Sequence, residues 1–334
     1  MVARIVGLEE FDSIEVIEKI RYQVAFTQAT IAGIVIGIIL GLIDSYLIHK
    51  SKRKRSFSFL VLTKGIIYIT AIIAVLTSIL VITDLVIDQS GFNKTANHLT
   101  EFFQEGFFFS MLIYALVISF LVSFIKQVNI KFGPGVLIPF IFGKYYKPRQ
   151  EDRIFMFIDL HSSTTYAEKI GHIKFSELIQ DCFYDLGSMV EKYRADIYQY
   201  VGDEAVLTWR IRKGIQNQNC IKIFFAFDDY LQSRSIYYAG KYGFIPQFKA
   251  GINCGLVMVA EVGDIKKEIA YHGDVLNTGA RIQGECNKYK KKLLISEAIK
   301  NILPSSREFM INKIGEVDLK GKVEATVIYS VEKN

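Results

Sequence analysis

Uncharged residues are spread very unevenly along this chain. The runs 22–43, 65–83 and 106–125 contain no Asp, Glu, Lys or Arg, and all of them fall before about residue 145. A helix needs about 20 mostly apolar residues to cross the hydrocarbon core of a bilayer. A core helix of a soluble protein would show a polar stripe at helical spacing, and these runs show none. The expectation is a membrane domain over 1–143, with transmembrane helices near 22–48, 64–87 and 104–126. The mixed, charged remainder is long enough to bury a core of its own.

Charge placement predicts the orientation. The net charge of +6 matters less than the run Lys50-Ser51-Lys52-Arg53-Lys54-Arg55. Directly after an apolar segment, it reads as a cytoplasmic loop rather than a nucleic-acid contact. The loop from Asp88 to Glu105 is poor in basic residues and is expected outside; Lys126 and Lys131 then return the chain to the cytoplasm. This predicts a multi-pass protein of the cell (inner) membrane with its soluble domain in the cytosol and no nucleic-acid partner. Residues 1–20, rich in Glu and Asp, read as an amphipathic interfacial segment rather than a cleavable signal, and 134–143 as a second interfacial element. Gly33, Gly37 and Gly41 share a helix face, open to close helix contact or merely membrane glycines. Cys182, Cys220, Cys254 and Cys286 are widely spaced and predict buried free thiols, neither a zinc site nor a disulfide set.

The polar segment 144–152, with Pro148 and no periodicity, reads as a linker, and 153–334 as the soluble domain. Arg153 to Leu160 is β-rich, and 164–194 is helical by its apolar spacing. Residues 195–201 and 205–210 are β-rich runs flanking the hairpin turn Gly202-Asp203-Glu204. A helix near 221–242, strands at 247–254 and 256–262, and a helix near 275–288 follow. Strand, helix, two strands, helix, strand predicts an α+β, ferredoxin-like βαββαβ fold.

In that fold the first strand and the hairpin lie side by side, bringing Asp159 and Asp203 together at one sheet edge. Neighbouring carboxylates repel unless a cation neutralises them. Hard oxygen ligands beside a polyphosphate suit Mg²⁺ or Mn²⁺. The turn Leu160-His161-Ser162-Ser163-Thr164 opens a helix, whose free backbone N–H groups are placed to bind phosphate. Two ordinary turn aspartates, one serving as a helix cap, satisfy the same spacing. Glu204 reads as a turn or surface residue.

The run Phe157-Ile-Asp-Leu-His-Ser-Ser-Thr164 resembles the first metal motif of class III adenylyl cyclases, and Tyr200-Val-Gly-Asp-Glu204 the second. Gly251-Ile-Asn-Cys-Gly-Leu-Val257 is similar to the family's glycine-flanked strand. Gly273-Asp-Val-Leu-Asn-Thr-Gly-Ala-Arg281 is similar to its G-x-x-x-N-x-x-x-R motif. The resemblance covers the soluble half only. It implies conversion of ATP to 3′,5′-cyclic AMP and pyrophosphate at a homodimer interface. Two Mg²⁺ or Mn²⁺ ions would be held by Asp159, Asp203 and the Leu160 carbonyl. Asn277 and Arg281 would act from the partner chain, on ribose and transition-state phosphate. Ser162, Ser163, Thr164 and Lys320 are the implied phosphate contacts.

Two positions depart from the family pattern. Where a purine-binding lysine and an Asp or Thr are usual, this chain has Gln199 and Ala270. Glutamine still donates and accepts hydrogen bonds at a purine edge, and alanine does neither. The alternatives are therefore a cyclase preferring GTP or relaxed in its purine, or a catalytically weak nucleotide-binding domain coupled to the membrane.

Overall fold

The computed structural model describes residues 26–27, 30–31, 33–43, 57–87, 91–104, 106–133, 137–319 and 325–334 of the 334-residue chain. The chain divides into two compact units, Met1–Lys131 and Phe132–Asn334.

Apart from Gly91, the described residues of the first unit are helical. Helix Phe57–Ile82 passes into a π-helical turn, Thr83–Ile87, followed by helices Phe92–Gln104 and Gly106–Phe132. Among the described residues, Leu62–Leu85 is long and apolar enough to cross a membrane, with a mean hydropathy of 2.6. The apolar stretches Gly33–Ile43 and Leu116–Asn129 are shorter, so of the expected spans only that near 64–87 meets the criterion here. The segment read as an external loop is largely helix. Thr95 is buried in that helix, and His98 reaches Asp84 of the π-helical turn at 3.1 Å. Among the described residues, nothing lies within 4 Å of where a Cβ would sit at Gly33, Gly37 or Gly41. The expected segment 1–20 and the basic run 50–55 lie outside the described residues.

In the second unit, strand β1 (Arg149–Leu160) is the centre of an eight-stranded sheet. Its near-continuous apolar run has the pattern of a strand covered on both faces. The strand starts at Arg149, so the last four residues read as linker pair with β4 instead. After β1 come α1 (Ser163–Ile170), α2 (His172–Val190), β2 (Asp196–Val201) and β3 (Glu204–Arg210). Next are α3 (Asn219–Ser233), α4 (Ser235–Tyr242) and β4 (Phe248–Val262). The chain ends with β5 (Glu268–His272), α5 (Asp274–Tyr289), β6 (Leu293–Ser296), α6 (Glu297–Ile302), β7 (Phe309–Val317) and β8 (Thr326–Lys333).

The sheet order is β2-β3-β1-β4-β6-β8-β7, with β5 paired to the far part of β4. Its first four members have the βαββαβ order expected from sequence. The helices expected over 164–194 and 221–242 are each two, and that near 275–288 is one. Gly171, at φ +79°, separates α1 from α2, a backbone state that favours glycine. Arg234 separates α3 from α4. The two strands expected at 247–262 are one continuous strand.

The two sheet faces have separate cores. Ile154, Met156, Ile158 and Leu160 of β1 pack with Leu178, Leu186, Phe224 and Phe227 of α2 and α3. Phe155 and Phe157 point the other way, toward Val206, Val257, Val259 and the partly buried Val275, Leu276 and Ala280 of α5. All four cysteines are free. Burial pushes the thiols of Cys220 and Cys286 up to about 12, which leaves them protonated and inert.

The helical layer is fastened by a buried polar clasp. Asp185 of α2, buried, bonds the Arg234 guanidinium and accepts from Tyr238 Oη at 2.6 Å. Asp181, one turn earlier, accepts from Tyr237 Oη (2.6 Å), Tyr242 Oη (2.7 Å) and Lys241 Nζ (2.9 Å). Removing one partner of a buried ion pair strands the other and costs about 3–5 kcal/mol. Asp185→Ala should therefore lower unfolding free energy by about that amount in urea titrations. Substituting the exposed Ile236 should change it by less than about 0.5 kcal/mol.

Candidate active site

The register of three strands builds the site. Asp159 of β1 is opposite Glu204 of β3 on one side and Lys249 of β4 on the other. Directly paired residues share a sheet face, so Glu204, Asp159 and Lys249 form one row. Phe157, two residues back along β1, packs toward α5, and the period of two puts the whole row on that face. Glu204 is half-buried in line with Asp159, not the surface turn residue its sequence position implies.

Asp203 stands in the tight turn between β2 and β3, where Gly202 takes φ +60°. The turn brings Asp203 close enough to Asp159 for carboxyl–carboxyl hydrogen bonding. Burial, and then the Asp203 charge, raise the Asp159 pKa above the ordinary aspartate value, with Lys249 pulling the other way. Glu204 is pushed up to about 7 by burial and by the charges of Asp159 and Asp203. The sequence expectation that the two aspartates converge therefore holds in the geometry. Oδ2 of Asp159 is held from two sides, by Lys249 Nζ at 3.2 Å and by Gln283 Nε2 at 3.1 Å. Nothing in the local sequence marks Lys249 or Gln283; cross-strand register and helix packing reveal them.

Helix α5 lies unusually close to the sheet. A Cβ on Gly251 would fall 2.3 Å from the Gln283 backbone nitrogen and 2.7 Å from the Gly279 oxygen. One on Gly279 would fall 2.8 Å from the Phe157 ring. Only glycines permit this approach. Asn253 Nδ2 donates to the Val275 carbonyl at 3.1 Å and ties the start of the helix to β4. Thr278, Gly279, Ile282, Gln283 and Cys286 form the buried face of α5. Asn277 is exposed and Arg281 half-buried, on the side away from the sheet. Asn277 and Arg281 therefore do not share a face with Gln283, whose side chain reaches Asp159.

Leu160 buries its side chain in the core beneath α2, leaving its backbone at the mouth of the α1 turn. Ser162 adopts φ 57° there, and its hydroxyl meets His161 Nδ1 at 2.8 Å rather than capping α1. The first-turn N–H groups of Ser163 and Thr164 have no side-chain cap, consistent with the anion-binding expectation. An irregularity in β2 between Ile197 and Gln199 turns Gln199 opposite Val206, on the α5 face and one row from Asp159. Ala270 of β5 pairs with Ala260, and the next residue, Tyr271, folds its ring against Phe155 and against Tyr198, the neighbour of Gln199, at centroid distances of 5.3 and 4.9 Å. Lys320 lies outside the described residues.

The donor set fits a divalent cation of the Mg²⁺ or Mn²⁺ type. Such ions bind through one or two carboxylates plus substrate phosphates and water, not through an all-protein cage. No cluster of three or more His, Cys, Asp or Glu with metal-site geometry occurs among the described residues. The Asp203 charge raises the pKa of Asp159, and the two half-buried carboxyls stand beside an open helix terminus.

Residues 145–333 match the adenylate and guanylate cyclase catalytic domain family. Adenylate cyclase 2 of Rhizobium meliloti (strain 1021) is 32% identical over 222 residues, covering 66% of this chain and 61% of that protein. An adenylate cyclase of Anabaena cylindrica is 27% identical over 186 residues, covering 53% and 36%. The chain thus spans about three-fifths of the first relative's length and about a third of the second's. A solved bacterial light-regulated adenylyl cyclase has the same fold, at 15% identity, with a TM-score of 0.57 and coverage of 69% of this chain and 67% of that one.

The Glu204 environment carries a pH signature. Folding raises its pKa, so the native state binds more protons than the unfolded chain between about 4.5 and 7. Its stabilising contribution is complete below about 4.5 and lost as pH rises through about 7. In chelator, Glu204→Gln should melt with the parent near pH 4.5. Above pH 7 it should be more stable by about 1–2 kcal/mol, after allowance for partial exposure.

Proposed function

The chain belongs to the adenylate and guanylate cyclase catalytic domain family, and from that premise we propose that it forms a 3′,5′-cyclic nucleotide and pyrophosphate from a purine nucleoside triphosphate. We assign ATP as the preferred substrate and a homodimer as the working form. The observation that carries this reading is the division of the site. Asp159 and Asp203 converge on the α5 face of the sheet, while Asn277 and Arg281 project from the far side of α5. One chain thus holds half of a site twice over, and a second copy supplies what each half lacks.

Asp159, Asp203 and the Leu160 carbonyl would hold the cations. When bound, these lower the pKa of the ribose 3′-hydroxyl and neutralise charge on the triphosphate. The uncapped N–H groups of Ser163 and Thr164, with Ser162, would bind the phosphate tail, a role the sequence resemblance extends to Lys320. Asn277 of the second copy orients the ribose. Arg281 meets the negative charge that grows on the α-phosphate as the hydroxyl attacks and pyrophosphate leaves. Gln199, turned to the site face by the β2 irregularity, reads the purine edge. Ala270 offers it no side-chain hydrogen bond, which favours a relaxed discrimination between ATP and GTP.

We further read residues 1–143 as a multi-pass anchor in the cell membrane, with the catalytic unit on the cytoplasmic side. The apolar helix Leu62–Leu85 supports that reading, as do the uncharged runs on either side of it. Confinement to a bilayer raises the effective concentration of catalytic units and favours their pairing.

Two measurements test the assignment. Purified chain with Mn²⁺ should form cyclic AMP faster than cyclic GMP. Asp159→Ala or Asp203→Ala should lower turnover at least about 10³-fold, the scale of losing a transition-state electrostatic partner. Turnover unchanged in either variant removes that residue from the cation site, and no cyclic product from either nucleotide overturns the enzyme. Separately, a fragment beginning at Phe132 should lose activity per molecule on dilution at concentrations where the full chain holds it. Identical dilution profiles would remove the pairing role of the membrane unit.

A further inference from the structure

Gln283 is 7% exposed and lies on the packed side of α5, where it donates to Asp159 Oδ2 at 3.1 Å. An ionised carboxylate only accepts hydrogen bonds, so the amide must present its nitrogen. Lys249 holds the same oxygen, but the two act differently. An ammonium repels any cation that Asp159 binds. A neutral amide fixes the carboxylate rotamer and opposes nothing. Carboxylates that ligate metals are themselves hydrogen-bonded by such outer groups.

We propose that Gln283 is a positioning residue for Asp159, and that α5 is thereby a working part of two active sites at once. Its outward face serves the partner's phosphate site through Asn277 and Arg281. Its inward face sets the cation-binding carboxylate of its own chain through Gln283. The proposal rests on the reading of Asp159 as a cation ligand. The contact between Gly251 and α5, too tight for any side chain, makes the helix rigid against the strand that carries Lys249. A shift of α5 moves the amide and the outward pair together.

The first test is direct Mn²⁺ binding to the full-length chain, without nucleotide, read by electron paramagnetic resonance. Gln283→Met, similar in size but without a donor, should weaken binding about tenfold, and Asp159→Asn should abolish it. Unchanged affinity in Gln283→Met alongside loss in Asp159→Asn overturns the positioning role. Binding that survives Asp159→Asn overturns the ligand reading beneath it.

The second test co-expresses full-length Asp159→Ala and Arg281→Ala chains, so that the mixed dimer has one productive site. Its Asp159 comes from the Arg281→Ala chain. Gln283→Met added to that chain should raise the Mn²⁺ concentration for half-maximal turnover about tenfold. Added to the other chain, it should leave that value unchanged. Equal effects from both chains reveal simple loss of packing and overturn the proposal. An inactive mixed dimer instead overturns the composite site.

Discussion

Like charge held together is the constraint on which the catalytic unit depends. Asp159 and Asp203 approach within hydrogen-bonding reach, with Glu204 in the same row, and burial raises the pKa of both Asp159 and Glu204. No fold adopts such an arrangement for its own stability, because repulsion and desolvation both act against it. It persists because the strands carrying the acids are anchored elsewhere. β1 is paired along its length to β4, and its other face is filled by the core beneath α2 and α3. The buried clasp of Asp181 and Asp185 with Arg234, Lys241 and three tyrosines locks that helical layer. A stiff back supports a strained front.

The same economy governs α5. Gly251 and Gly279 remove the side chains that would otherwise hold helix and sheet apart. With the helix that close, Gln283 reaches Asp159 while Asn277 and Arg281 face outward. Ala270 sits on β5, whose Tyr271 packs against Tyr198 beside Gln199. On the proposed reading, one chain carries the acids and the outward pair on opposite sides of α5. Two copies related by a two-fold would meet each deficit with the other's surplus, as closed symmetric assemblies do.

The residues of this site were legible in sequence to different depths. Asp159, Asp203 and the strands bearing them could be read because β-rich runs and a tight Gly-Asp turn are local signals. So could the i, i+4 placement of Asn277 and Arg281 on one helix. Lys249 and Gln283 could not, since their contacts with Asp159 depend on register and packing across 90 and 124 positions. Glu204 was misread for the same reason: only its pairing opposite Asp159 distinguishes it from a solvent-facing hairpin residue. The breaks at Gly171 and Arg234 were masked by apolar periodicity that continues across them. In one case a backbone angle ends the helix; in the other an arginine is drawn to a buried aspartate on α2.

Lys249 shows why charge balance at this site is a matter of state rather than structure alone. Its ammonium lowers the pKa of Asp159, against burial and the Asp203 charge, and also lowers that of Glu204. On the proposed reading, a divalent ion at Asp159 and Asp203 would meet that ammonium as a like charge, so cation and lysine would compete for one carboxylate oxygen. A triphosphate arriving with the ion reverses the sign of the problem, because it brings more negative charge than the ion neutralises. The lysine would then favour the site with ion and triphosphate together. Cation and nucleotide are therefore expected to bind together better than either binds alone, a coupling that follows from three carboxylates and one ammonium sharing a row and a turn.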